Sequence, residues 1–385
     1  MRLPVPFALL FAAPAALAEA PPIVPFEVPA EPGIRVETFA SGLENPWGLA
    51  FLPDGRMLVT ERPGRLRIVA RDGKLGAPIP GVPKVAAIGQ GGLLDVALDP
   101  GFAQNGLVYL TSATGDARAN ATVVTRARLA GNMLVEPKEL LRNPTPKTGG
   151  AHFGSRLLFL PDGTLLVSVG DGGNPTVKLD GQNIRNQAQN PKALFGKTLR
   201  ITPEGRAVPA NRGLAEPASG WGPLVFTMGH RNIQGLARDP KTGAIWATEH
   251  GAQGGDELNR LAAGGNYGWP IVTYSLEYSG ARISDETARP GMVSPVSVWT
   301  PSIAPSGLAV YRGKAFPGLD GALLAGGLTS SDLRIIRLKP DGTPARETRL
   351  VIDERVRDVR VGPDGFIYLL TDEAEGRILR LTPAG

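Results

Sequence analysis

The chain has 385 residues, enough for two ordinary domains or one large repeat fold. Its 50 glycines and 36 prolines are about twice the usual share, while 42% hydrophobic and 20% charged residues exclude disorder, coiled coils, helical bundles and collagen-like fibres. With no cysteine, three histidines and a net charge of +5 scattered along the chain, there is no disulfide scaffold, zinc ribbon, thiol nucleophile or nucleic-acid-binding stripe.

The first segment reads as an address. Met1-Arg2 is a short basic start, residues 6–18 are apolar, and Ala16-Leu17-Ala18 forms a small-x-small cleavage site before Glu19. Residues 1–18 are therefore expected to be a signal peptide and 19–385 one mature domain, periplasmic or secreted. No later run reaches the ~18 apolar residues that a membrane span needs.

From residue 45 onward one pattern recurs, a Pro/Asp/Gly turn followed by an apolar strand with period two. Pro53-Asp54-Gly55 leads into RMLVTE, Asp99-Pro100-Gly101 precedes GLVYLTSA, and Pro161-Asp162-Gly163 leads into TLLVSVGD. Asp239 to Gly243 precedes AIWATEHG, Leu319-Asp320-Gly321 precedes ALLAGG, and Pro363-Asp364-Gly365 precedes FIYLLTDE. Apolar runs such as GLAFL, RLLFL and GLAVY come just before these turns, and third and fourth strands such as RLRIVA and RIIRLKP follow. Six such units predict an all-β fold, a six-bladed β-propeller with four-stranded antiparallel blades. The uneven spacing places insertions in loops on one face.

A propeller does not name a reaction. Its sites lie at one end of the central channel, so polar residues in glycine-rich loops just after inner strands are the candidates. Four loops qualify: Gly89-Gln90-Gly91-Gly92; Gly149 to Gly154 with His152, paired with Gly170-Asp171-Gly172-Gly173; Gly229 to Gly235 (GHRNIQG); and Glu249 to Glu257 (EHGAQGGDE), leading to Gly264 to Pro270 (GGNYGWP).

These loops resemble those of the soluble quinoprotein sugar dehydrogenases, which use pyrroloquinoline quinone (PQQ) and calcium. The resemblance runs from NPWGLAFLPDG at residue 45 to RDVRVGPDG at residue 357, with GHRNIQGL and GGNYGWP as its most specific pair. It implies the same six-bladed fold and an aldose oxidised at its anomeric carbon to a lactone. Removing the hydroxyl proton as hydride leaves calls for a base with a near-neutral pKa. By resemblance that base is His152, oriented by Asp171. Arg231 and Asn232 match the pair at the quinone's reactive oxygen, and Gln90 matches the glutamine near quinone and sugar. Arg355 and Arg357, two residues apart on one strand face, match the arginines that hold the cofactor's carboxylates. Ser302 stands where some members carry threonine at the cofactor. Gly251 and Ala252 match the backbone oxygens that hold the cofactor's calcium, and Glu257 and Tyr267 match a second, structural calcium site.

The sequence also departs from the family. The cofactor-binding lysine aligns with Thr329, and the aspartate before the base in glucose-oxidising relatives is Ala151. The first removes a cationic contact; the second turns the expectation away from glucose and toward a broader aldose or another alcohol. Two other readings stay open on the residues alone. One is a metal-dependent propeller lactonase using His152, His230 or His250; the other is a non-catalytic binding module.

Overall fold

The Asp-Gly turns build the hairpins that the sequence predicts. In a computed structural model describing residues 20–208, 211 and 222–384, Asp54, Asp162 and Asp364 accept the backbone N–H two residues on, at 3.0, 3.1 and 3.1 Å. The glycine after each takes a positive φ of 80–84°, which closes the turn without a Cβ clash. The leader read over 1–18 lies outside the described residues.

Each turn joins the inner and second strands of one blade. The inner strands are Pro46–Phe51, Leu93–Leu98, Leu157–Phe159, Ile233–Arg238, Pro305–Val310 and Val356–Val361. The second strands are Met57–Glu61, Leu107–Gly115, Leu165–Val169, Ile245–Glu249, Leu323–Gly327 and Ile367–Thr371. All six blades contain four antiparallel strands, so the fold is the six-bladed propeller that the repeats predict. The last blade takes its outermost strand from the other end of the chain, where Ile34–Leu43 pairs with Gly376–Pro383 and closes the ring. The sequence pattern does not show three further details. A short helix, Phe102–Asn105, separates the second Asp-Pro-Gly turn from its strand. The fourth blade gains a parallel fifth strand, Ile23–Val24, beside Ser297–Trp299. An insertion between Leu165–Val169 and Lys197–Ile201 carries a small ribbon, Lys178–Leu179 with Gln182–Asn183.

The core lies between the blades. Leu58, Leu66 and Ile68 of the first blade pack on Val96, Val108 and Leu110 of the second. Leu324, Leu333 and Ile335 pack likewise on Val359, Ile367 and Leu369 across the fifth and sixth. Second strands are therefore covered on both faces, and Met57–Glu61 (MLVTE) and Leu165–Val169 (LLVSV) are buried at every residue. The Asp-Gly turns occupy one end of the ring. The loops entering the inner strands and leaving the second strands share the other end, because consecutive strands are antiparallel.

Arg156 stands at the channel axis, fully buried and just ahead of its inner strand. Its Nη1 pairs with Asp358 of the sixth blade at 2.9 Å and Asp95 of the second at 3.4 Å. Its Nε donates to the Gln234 carbonyl of the fourth blade at 2.5 Å and its Nη2 to the Arg357 carbonyl at 3.0 Å. The guanidinium also lies 4.0 Å from the ring centre of Trp47 in the first blade. Arg156→Leu would leave two buried carboxylates short of their cation. It is expected to cost roughly 3–5 kcal/mol in urea unfolding; a loss below about 1 kcal/mol would show that the axis is not held this way.

Candidate active site

At the end opposite the Asp-Gly turns, four loops interlock. The Gly149–Gly154 loop enters the third blade's inner strand, and its His152 is held at a φ of +54°, an uncommon backbone state for a side chain with a Cβ. Three bonds fix it there. The His152 N–H donates to Gln90 Oε1 at 2.8 Å, the Gly154 N–H donates to Asn232 Oδ1 at 3.1 Å, and the imidazole Nδ1 meets Asp171 Oδ1 at 2.7 Å. Gly170, beside Asp171, allows the two loops to meet, since a Cβ there would come within 2.2 Å of the His152 carbonyl oxygen. The glycine-rich loops are expected just after inner strands, but they lie before inner strands or after second strands. In an antiparallel blade these two positions are the ones that share an end.

Asp171 is fully buried and accepts from every side: His152 on Oδ1, the Gly173 N–H on Oδ1 at 3.0 Å, and Trp269 Nε1 on Oδ2 at 2.8 Å. An acceptor with this set of partners accepts a hydrogen bond from Nδ1–H, which leaves the proton on Nδ1 and the lone pair of His152 on Nε2. Burial pushes the His152 pKa below its ordinary value and the Arg231 guanidinium pushes the same way, while Asp171 opposes both. The imidazole is thus neutral at neutral pH.

Arg231 is nearly buried beside this pair. Its N–H donates to Glu249 Oε2 at 2.7 Å, and its carbonyl accepts the Asp171 N–H at 2.8 Å. Its guanidinium donates to the carbonyls of Gly251 and His250 and lies 5.5 Å from the Trp269 ring centre. Glu249 also accepts His230 Nδ1 at 2.8 Å, while His230 Nε2 meets Thr227 Oγ1 at 2.8 Å.

A cavity of about 230 Å³ adjoins the pair through Gln90, Gly154, Gln234 and His250. Arg62, Arg355, Arg357, Asp372 and Thr329 also line it. Arg357 donates to Asp372 Oδ2 at 2.7 Å and to Gln234 Oε1 at 3.1 Å, and Arg355 reaches the same carboxylate at 3.2 Å. Burial alone would raise the Asp372 pKa, but Arg357, with Arg62 and Arg355 behind it, holds it down at about 2. Three guanidinium groups against one carboxylate leave the cavity positive, and buried Nε atoms of Arg62 and Arg357 have no partner. This donor set suits a planar polyanion.

The structure therefore gathers Gln90, His152, Asp171, Arg231, Asn232, Arg355 and Arg357 at one end of the channel. Gly251 joins them through its carbonyl. Ala252 is turned to Ser275, whose Oγ accepts its N–H at 3.1 Å. Ser302 is engaged elsewhere, donating to Asp256 Oδ2 at 2.6 Å. Glu257 and Tyr267 line a separate small cavity in the fourth blade, where Tyr267 stacks on His230 with ring centres 4.7 Å apart. Burial and the neighbouring Glu249 push the Glu257 carboxyl up to about 8. Sequence reasoning missed Trp269, Asp372 and Glu249 as parts of the site. Trp269 and Glu249 carried a signal, their places in GGNYGWP and EHGAQGGDE; Asp372 carried none.

The imidazole geometry predicts an NMR result. In wild-type protein His152 should carry its proton on Nδ1 and titrate below about 6.5. Asp171→Asn removes the one group that raises its pKa, so the midpoint should fall further; a rise would contradict the assignment.

A family model described as Glucose / Sorbosone dehydrogenase matches residues 43–380. The aldose sugar dehydrogenase YliI of Escherichia coli K12 is 38% identical over 91% of this chain and 93% of its own length. A glucose dehydrogenase crystal structure superposes with a TM-score of 0.84 at 41% identity, over 91% of this chain and all of that one. The structure of the PQQ-bound form of aldose sugar dehydrogenase from Streptomyces coelicolor superposes with a TM-score of 0.71 at 31% identity, over 92% of this chain and 99% of that one. With both the fold and nearly the full length matched, the chain belongs to the glucose/sorbosone dehydrogenase family of sugar-oxidising enzymes.

Proposed function

We propose that the protein is a quinoprotein that oxidises aldoses at the anomeric carbon to lactones by hydride transfer to PQQ. The observation that carries this reading is the oriented, neutral His152–Asp171 pair beside a cavity lined by Gln90, Gly154, three arginines and one carboxylate. The PQQ-bound structural relative adds to it.

On this reading PQQ, when bound, would supply the hydride acceptor and calcium the polarising ion; the other roles fall to the chain's own groups. His152 Nε2 takes the anomeric hydroxyl proton, and Asp171 steadies the imidazolium that forms. Trp269 and Gly173 hold Asp171 in place, and Gln90 fixes the backbone of the base. Arg231 places a cation where negative charge grows during reduction. Arg355 and Arg357 would hold the cofactor's carboxylates, with Asn232 as a further contact; Ser302, whose hydroxyl is bonded to Asp256, is left out of this set. Calcium would be held by the backbone oxygens of Gly251 and Ala252; the Gly251 oxygen already faces a cation, the Arg231 guanidinium. A second ion at Glu257 and the Tyr267 backbone oxygen would offset the crowding of Glu257 against Glu249. A signal peptide over residues 1–18 and a periplasmic setting complete the proposal.

The lactonase reading needs several side chains converging on one ion. Among the described residues no three histidines, aspartates or glutamates form such a group, and both ring nitrogens of His230 are engaged.

Reconstitution tests the proposal. Apo-protein given calcium and PQQ should reduce a dye with aldoses, and omitting either addition should abolish the activity. His152→Ala should still take up the quinone but lose turnover by roughly 10²- to 10⁴-fold. Dye reduction without PQQ, or full turnover by the variant, would overturn the assignment.

A further inference from the structure

Arg62 follows directly on the first blade's second strand, where its backbone is fixed on both sides. Its N–H donates to the Asn45 carbonyl and its own carbonyl accepts the Leu93 N–H, both at 3.1 Å. The side chain reaches into the cavity that Arg355 and Arg357 line. One guanidinium arm is used, Nη1 donating to the Gly89 carbonyl at 2.6 Å, while the buried Nε has no partner. The cavity's carboxylate, Asp372, is bonded to Arg357 and Arg355 and makes no hydrogen bond to Arg62. Across the cavity stands Thr329, a neutral residue, at the position where the family resemblance expects a lysine.

We infer that Arg62 is the third cation of the anion cavity, supplying from the first blade the positive charge that Thr329 lacks in the fifth. The inference rests on the cavity being the cofactor's carboxylate site, and it adds a residue that the resemblance did not assign. A part-buried guanidinium with a free N–H and no acid of its own is stabilised when a ligand carboxylate arrives. Three such cations match a tricarboxylate better than the two arginines that already share Asp372. The cofactor's affinity then depends on Arg62, whatever the sugar.

The test measures binding without turnover. Cofactor-free protein with calcium is titrated with PQQ, following the absorbance of the bound quinone, for wild type, Arg62→Gln, Arg62→Lys, and Arg62→Gln combined with Thr329→Lys. Circular dichroism and melting temperature check that each variant is folded. Arg62→Gln should weaken PQQ binding roughly 10- to 100-fold, the range for a hydrogen bond to a charged group. Arg62→Lys should keep part of the affinity, and Thr329→Lys should restore much of what Arg62→Gln loses. Wild type that takes up no PQQ would sink the functional proposal, and this inference with it. Wild type that binds while Arg62→Gln binds as tightly would overturn the inference alone. So would a loss that Arg62→Lys shares in full and Thr329→Lys does not repair, since Arg62 would then only be holding the Gly89 loop.

Discussion

The buried Arg156 guanidinium is the contact on which the rest depends. A ring of blades packed through apolar faces can slide, because such packing has no direction. Arg156 supplies direction at the axis, where it meets side chains or carbonyls from four other blades. Two of those partners carry the site. Gln234 and Arg357, whose carbonyls accept from Arg156, both turn side chains into the cavity and bond to each other there. The Asp95 carboxylate, held by Arg156 and Arg360, also accepts the Leu157 N–H that begins the third inner strand, five residues after His152. Channel and base thus share one scaffold.

Above this scaffold the site is a set of loops that fix one another. His152 sits in a costly backbone state, offset by bonds from Gln90, Asn232 and Asp171, which belong to three separate loops. Asp171 is in turn tied to Arg231 through the backbone, and Arg231 to Glu249. The electrostatics follow from this closeness. Burial, helped by the neighbouring Arg231 cation, keeps the imidazole neutral, the state a base requires.

The repeats were legible because Asp-Gly hairpins need particular residues: a side-chain acceptor at one position and a positive φ at the next. Blade number, blade size and the identity of the turn-bearing face all follow from that. The closing strand Ile34–Leu43 was not legible, since its partner lies at the far end of the chain and pairing across such a span leaves no local pattern. At the site, His152, Asp171 and Arg231 stood out as polar residues among glycines and through family motifs. Asp372 and Arg62 did not, because each looks like an ordinary charge at the end of a strand. Only the approach of the first, fifth and sixth blades makes them part of one cavity. Ser302 shows the opposite limit: its hydroxyl fits the resemblance, but the fold gives it to Asp256.

The central claim is that hydride leaves the anomeric carbon as His152 takes the hydroxyl proton. It is tested most directly by single-turnover oxidation of an aldose carrying deuterium at that carbon, using PQQ-loaded protein without an external acceptor. The account predicts stoichiometric cofactor reduction, slowed by a primary isotope effect, and a lactone that has lost the deuterium. A product that keeps its anomeric deuterium, or a cofactor that no aldose reduces, would contradict it.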